Sequence, residues 1–313
     1  MTDNTPPMTV ASKPVEMLLA SERAWPFVLG VVAVLTLAGW SYLGAMVIDM
    51  VPLMDMGEAG PGMGIFNLFN DFWGLPAEAR AALAVLCLPE NVTTFGMPGG
   101  AWGLPDVFKV FLMWFAMVLA MMLPSTVPML RAYVVSETRS GQAARDITRN
   151  AVLVGSGYIA VWTAYAIVAT TAQWALTGLN VLGAMMAPIS LAVTASVLIA
   201  AGLYQFTPAK QACLARCWYP RWVFLHAGAK GRSYSAPLRE GLVQGLLCLG
   251  CCWAMMTVMF AVGIMNVIWI AFLGALMAVE KTFPSRFFAP ALGVLFLGWG
   301  GGLALAIYSG LAS

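Results

Sequence analysis

Seven apolar runs, each of a length suited to crossing a bilayer, leave this chain few ways to fold. They are roughly Trp25–Met46, Val107–Leu130, Ala151–Leu176, Leu182–Tyr204, Gly241–Val262, Gly263–Val279 and Phe288–Ser309. A span needs about 20 predominantly apolar residues, because a helix rises about 1.5 Å per residue through a hydrocarbon core about 30 Å thick. The composition agrees. The chain is 61% hydrophobic and 10% charged, against roughly 25% charged residues in soluble domains. These runs predict an all-α fold, a polytopic transmembrane helical bundle of about seven spans. Gly263 is the only breaker between the fifth and sixth runs, so a tight hairpin is expected there; without it the pair becomes one helix and a re-entrant segment.

Charge asymmetry sets the expected orientation. Of 16 Lys and Arg residues, 14 fall in the N-terminal tail and the 131–150, 205–240 and 280–287 loops, leaving Arg80 and Lys109 on the other side. The positive-inside rule puts the N-terminus and those loops in the cytoplasm. Residues 1–24 read as a cytoplasmic tail with a surface helix near Val15–Arg23. They hold no cleavable signal pattern, since no apolar stretch there precedes a small-residue cleavage site. Residues 25–46 form the first transmembrane helix, 47–106 an extracytoplasmic Met-rich acidic loop, and 107–309 a six-span membrane domain. The loop holds Asp49, Asp55, Glu58, Asp71, Glu78, Glu90 and Asp106, half of all the acids. Its Met50, Met54, Met56 and Met63 suggest either a weak metal-collecting strip or apolar surface dipping into the interface. Pro76–Leu88 reads as a short helix on the bundle, followed by an irregular Gly/Pro-rich stretch.

The chemistry concentrates in REGLVQGLLCLGCCWAMMTVMFAVGIMNVIWIAFLGALMAVEKTFP. Cys248, Cys251, Cys252, Met255, Met256 and Met259 lie inside one apolar run. At about 100° per residue they share an arc of roughly 140° on a helix. Thiolate and thioether sulfur are soft donors suited to Cu(I); the plainer reading is packing by small or flexible side chains. In the second run Met113, Met117 and Met121 recur every four residues on one face. Pro124 and Pro128 follow, freeing the carbonyls of Ala120 and Pro124 to find Ser125, Thr126, another helix or an ion. Cys213 and Cys217 stand one helical turn apart in a basic loop, either an inner delivery site or small residues on an interfacial helix. Cys87 stands alone and reads as a buried small residue.

Glu280 and Lys281 at the end of the sixth run read as interfacial anchors, paired with each other or with Arg239, Glu240 or Arg286. The functional alternative is a proton or ion gate. Asn266 is expected to bond a neighbouring helix, and the glycines of GWGGGLALAIYSG to permit close packing, within the chain or with a partner subunit. His226 is the only histidine, so His-based haem, copper and zinc sites are excluded within the chain. No P-loop or Gly-rich dinucleotide motif occurs, and the scattered basic residues read as topology signals, not as a nucleic-acid surface.

The strings AMMLPSTVPM, TPAKQACLARC and REGLVQGLLCLGCCWAMMTVMFAVGIMNVIW…VEKTFP resemble a bacterial family of predicted metal-binding integral membrane proteins, sometimes labelled copper chelators or copper chaperones. The resemblance covers about residues 105–290. It implies a metal, an inner-membrane location, and motif positions at Met117, Met121, Met122, Pro124, Cys213, Cys217, Cys248, Cys251, Cys252, Met255, Met256, Glu280 and Lys281.

The expectation is an integral membrane protein that binds Cu(I) for acquisition, delivery or cofactor assembly, with no catalytic residues assigned. The core site would combine Cys248, Cys251, Cys252 and Met255 with Met117 and Met121. Softness rises from outer thioethers to inner thiols, so handling is expected to run inward. The partners are the lipid bilayer and a membrane complex or cuproenzyme. Two other readings stand beside it: a thiol–disulfide membrane enzyme using C-x2-C-C, and a structural subunit without chemistry.

Overall fold

The computed structural model describes residues 13–52, 55–69, 74–75, 102–182, 190–220, 224 and 235–310, with side chains described from Arg23 onward. Regular structure among them is helical. The helices are α1 (Lys13–Met50), α2 (Leu104–Met121), α3 (Val127–Arg139), α4 (Ala144–Gly178), α5 (Leu191–Tyr204), α6 (Pro208–Trp218), α7 (Ser235–Thr257), α8 (Met259–Val262), α9 (Val267–Thr282) and α10 (Phe288–Tyr308). Local chemistry explains several starts. The Asp106 carboxylate accepts from Gly103 N at 2.9 Å, Ser190 Oγ from Ala192 N at 3.2 Å, and Thr207 Oγ1 from Lys210 N at 3.3 Å. Each satisfies an amide that the first helical turn leaves without a partner.

Among the described residues, five stretches are long and apolar enough to cross a bilayer: Arg23–Met50, Leu104–Met121, Ala144–Gly178, Ser235–Val262 and Phe288–Tyr308. A sixth is reached only if α5 and α6, bent by 62° at their junction, count as one span. Seven spans are expected from the sequence; residues 183–189 of the fourth run lie outside the described residues. The fourth run yields α5, which starts at its Ser190 cap and has 14 residues; the sixth yields α9, with 16. Both fall short of the length a bilayer asks for. Along the long helices the outward side chains are apolar as well: Val34, Leu37, Val168 and Leu305 are each more than half exposed.

The surface helix expected near Val15–Arg23 is continuous with the first apolar stretch, Arg23–Met50, because α1 runs unbroken from Lys13 for 38 residues. The second ends earlier. After Met121 the chain makes a 3-10 turn at Pro124–Thr126 and restarts as α3, so Leu130 lies in a separate helix. Ser125 and Thr126 do bond freed carbonyls, but those of Met122 and Leu123, each at 2.7 Å. The Pro124 carbonyl is taken by Val127 N as the turn tightens.

Glycines determine how closely the helices approach. A Cβ on Gly157 of α4 would collide with Leu238 O, and one on Gly241 of α7 with Val154 O. Gly245 faces Tyr158 and Val161 across the same crossing. Small residues at such spacing let two backbones touch, which is how apolar helices associate in lipid. Gly202 of α5 and Gly300 of α10 do the same for that pair, while Gly298, Gly301 and Gly302 of the Gly-rich stretch face open space.

The expected hairpin forms at Gly263, whose φ of 100° suits glycine. The chain after α1 folds over it. Gly60 and Gly263 leave no room for side chains between Ala59–Gly60 and Val262–Gly263. Asn266 bonds both a neighbouring helix and the loop: its Nδ2 donates to Val262 O of α8 at 3.3 Å and to Pro61 O at 3.0 Å, while its Oδ1 caps α9 through Trp269 N. Asn67 ties the loop internally, accepting from Met56 N at 2.9 Å and donating to Asp55 Oδ1 at 2.7 Å. As a result Met50, Met56 and Met63 are fully buried, not presented as an outer strip. Met54, Cys87, His226 and the expected Pro76–Leu88 helix lie outside the described residues.

Candidate metal centre

The arc read on the fifth run is the buried face of α7. Cys248, Cys251, Cys252, Met255, Met256 and Met259 are all at most 2% exposed. Leu242, Val243, Leu246 and Trp253 turn outward. The three thiol sulfurs all lie within 4.8 Å of one another, and Cys251 and Cys252 Sγ are 3.4 Å apart. A metal bound to thiolate at about 2.3 Å would set trigonal ligands about 4 Å apart. The cluster is therefore close to a coordinating geometry before any metal enters.

Three other helices complete the surroundings. The glycine crossing of α4 and α7 places the Tyr158 hydroxyl 2.8 Å from Cys248 Sγ and 3.4 Å from Met122 O. From α9, Lys281 Nζ donates to Cys248 Sγ and to Ser125 Oγ, both at 2.8 Å. From α6, Cys217 Sγ lies 3.9 Å from Cys251 Sγ. Cys213, one turn earlier, packs where Gly250 lacks a side chain; a Cβ there would sit 2.7 Å from its sulfur. A cavity of about 20 Å3 lies beside Cys248, bounded by Ser125, Tyr158, Cys217, Gln244 and Lys281 among others. That is room for about one water or one ion. Gln244 is 3% exposed and its Nε2 has no hydrogen-bond partner.

Glu280 and Lys281 are not interfacial anchors. Both are buried, at 1% and 7% exposure. Glu280 pairs with neither Lys281, Arg239 nor Arg286, but with Lys210 of α6, whose Nζ lies 2.9 Å from Oε1 and 3.1 Å from Oε2. Trp218 Nε1 adds a 2.8 Å bond to Glu280 O. These contacts fasten both ends of α6 to α9, and so hold Cys217 against α7. Two of the 14 basic residues counted as topology signals, Lys210 and Lys281, therefore serve the interior.

The structure thus unites Cys248, Cys251 and Cys252 with Cys217, joining what looked like two sites into one. Met113, Met117 and Met121 are buried, but α2 has α1, α4 and α9 as its main neighbours, and Met121 packs over Gly274 of α9. Tyr158, Gln244 and the pairing of Lys281 with Cys248 escaped the sequence reading. The signal available was Gly241-xxx-Gly245 in α7 with Gly157 in α4, which marks the face where Tyr158 must meet the thiol helix.

An all-helical bundle with spans of membrane length and a buried three-thiol cluster defines a class of candidate soft-metal proteins. Residues 111–303 match the PpoB2 family model, described as a copper chaperone, and the chain belongs to this family. No curated protein and no solved structure matches it significantly.

Proposed function

We propose that the protein is integral to a membrane, the bacterial inner membrane by its basic-residue pattern, and binds Cu(I) as cargo at Cys248, Cys251 and Cys252. The carrying observation is the convergence of three buried thiols on one another, with a buried ammonium touching the first. Sulfur-only donors favour Cu(I) over harder ions. Charge fits as well. Cu(I) between two thiolates carries one net negative charge, and the Lys281 ammonium brings the site to zero, which lowers the cost of burying ions. The family description supports copper in particular. The buried thioethers Met255, Met256, Met259, Met113, Met117 and Met121 are further donors along the interior. Cargo would move toward the thiols and the basic side, for acquisition, delivery or cofactor assembly in a cuproenzyme or membrane complex.

A thiol–disulfide function is the second reading, favoured by the 3.4 Å and 3.9 Å sulfur separations at Cys251. Anaerobic purification with metal analysis and thiol counting separates the two. About one copper per chain with all thiols reduced is the expected result. A metal-free protein with two thiols missing would establish the redox reading, and a metal-free protein with all thiols free would leave neither.

A further inference from the structure

Resting on the copper reading, we propose that Cys217 is the transfer thiol, the donor through which cargo passes between the buried cluster and an external soft ligand. Cys248, Cys251 and Cys252 are at most 2% exposed, so no outside donor reaches them directly. Cys217 is partly exposed, yet its sulfur is 3.9 Å from Cys251 Sγ. One ion held by both would need a separation of no more than about twice a metal–thiolate bond of about 2.3 Å, and the observed distance falls within it. Cys217 also borders the cavity of about 20 Å3 that reaches Cys248, with Pro128, an exposed residue, on its rim. This space admits an ion but not a partner's side chain, so the hand-over takes place at Cys217. Gln244, whose Nε2 has no hydrogen-bond partner among the described residues, lines the same cavity and adds a polar side chain to it. The position of Cys217 is held by Lys210–Glu280 and Trp218–Glu280, which press α6 onto α9.

The ligand class is a thiolate or other soft donor, and exchange is associative: a bond from copper to Cys217 forms before bonds to the buried sulfurs break. No electron moves, and copper stays Cu(I). The test uses full-length protein loaded anaerobically with Cu(I) and challenged with bathocuproine disulfonate, a chromogenic chelator far larger than the cavity. With release expressed as a fraction of the copper each protein has bound, Cys217→Ser should release at least tenfold more slowly than wild type, and Cys217→Met, which retains a soft donor, should recover part of the rate. Should the serine variant fold poorly, alkylation by N-ethylmaleimide in a Cys87→Ser/Cys213→Ser background, where Cys217 is the one remaining thiol that is not buried among the described residues, should slow release in the same way. An unchanged rate would overturn the proposal, and so would faster release with lost copper, which would make Cys217 an anchoring ligand. A wild-type protein that takes up no copper would overturn the copper reading itself, and this proposal with it.

Discussion

Cys248→Ser and Cys252→Ser are each expected to reduce bound copper from about one per chain to near zero while the helical bundle stays folded. Each removes one of three sulfurs that already lie within 4.8 Å of one another. A serine hydroxyl is a hard donor and does not replace a thiolate for Cu(I). Cys248 carries a second consequence, because Lys281 and Tyr158 both bond its sulfur at 2.8 Å. A serine hydroxyl there can still accept from Lys281, but it carries no thiolate charge to balance the buried ammonium. Met63→Leu is the matched control: Met63 is fully buried but belongs to the short 3-10 helix Met63–Phe69 in the stretch after α1, not to the thiol helix, and a volume-conserving swap costs little. Met277, outside both sulfur stripes, is a poorer control, because it lies one turn before Lys281 on the same face of α9. The check is copper analysis on anaerobically loaded, gel-filtered protein. Equal copper in Cys248→Ser, Cys252→Ser and Met63→Leu would leave packing as the role of the cysteines.

Lys210→Met is expected to destabilise the bundle by about 3–5 kcal/mol, the cost of leaving one partner of a buried ion pair alone. Both side chains are 0% exposed, so water cannot replace the missing charge. The double variant Lys210→Met/Glu280→Met should recover most of the loss, since two apolar side chains in place of a buried pair are often neutral or better. Thermal unfolding in detergent, followed by tryptophan fluorescence, reads this directly. A single variant as stable as the wild type would mean that the pair is hydrated and that α6 is held by other contacts.

What the sequence discloses here divides by range. The sulfur face of α7 is legible because helical period alone places Cys248, Cys251, Cys252 and Met255 on one side, and that side is the buried one. The turn at Gly263 is legible because only glycine accommodates its φ. Partners across helices are not legible in this way. Whether Lys281 meets Arg239, Glu240 or Cys248 depends on the register of α9 against α7, which local periodicity does not encode. The same holds for Lys210, charged and close to Cys213, whose burial follows from the 62° bend that folds α6 back. Apolar run length does not separate helix from turn. Gly263–Asn266 contributes to the sixth run but forms the hairpin, so α9 starts only at Val267. The acidic, Met-rich stretch after α1 reads in sequence either as an outer metal-collecting strip or as apolar surface at the interface, and the Asp55–Asn67–Met56 bonds hold it with Met56 and Met63 turned inward.

X-ray absorption at the copper edge of the anaerobically loaded wild-type protein tests the central claim most directly. The account predicts Cu(I) with a sulfur-only first shell of two to three atoms, at metal–thiolate distances of about 2.3 Å. A shell of nitrogen or oxygen, or copper in the cupric state, would contradict a site built from Cys248, Cys251 and Cys252.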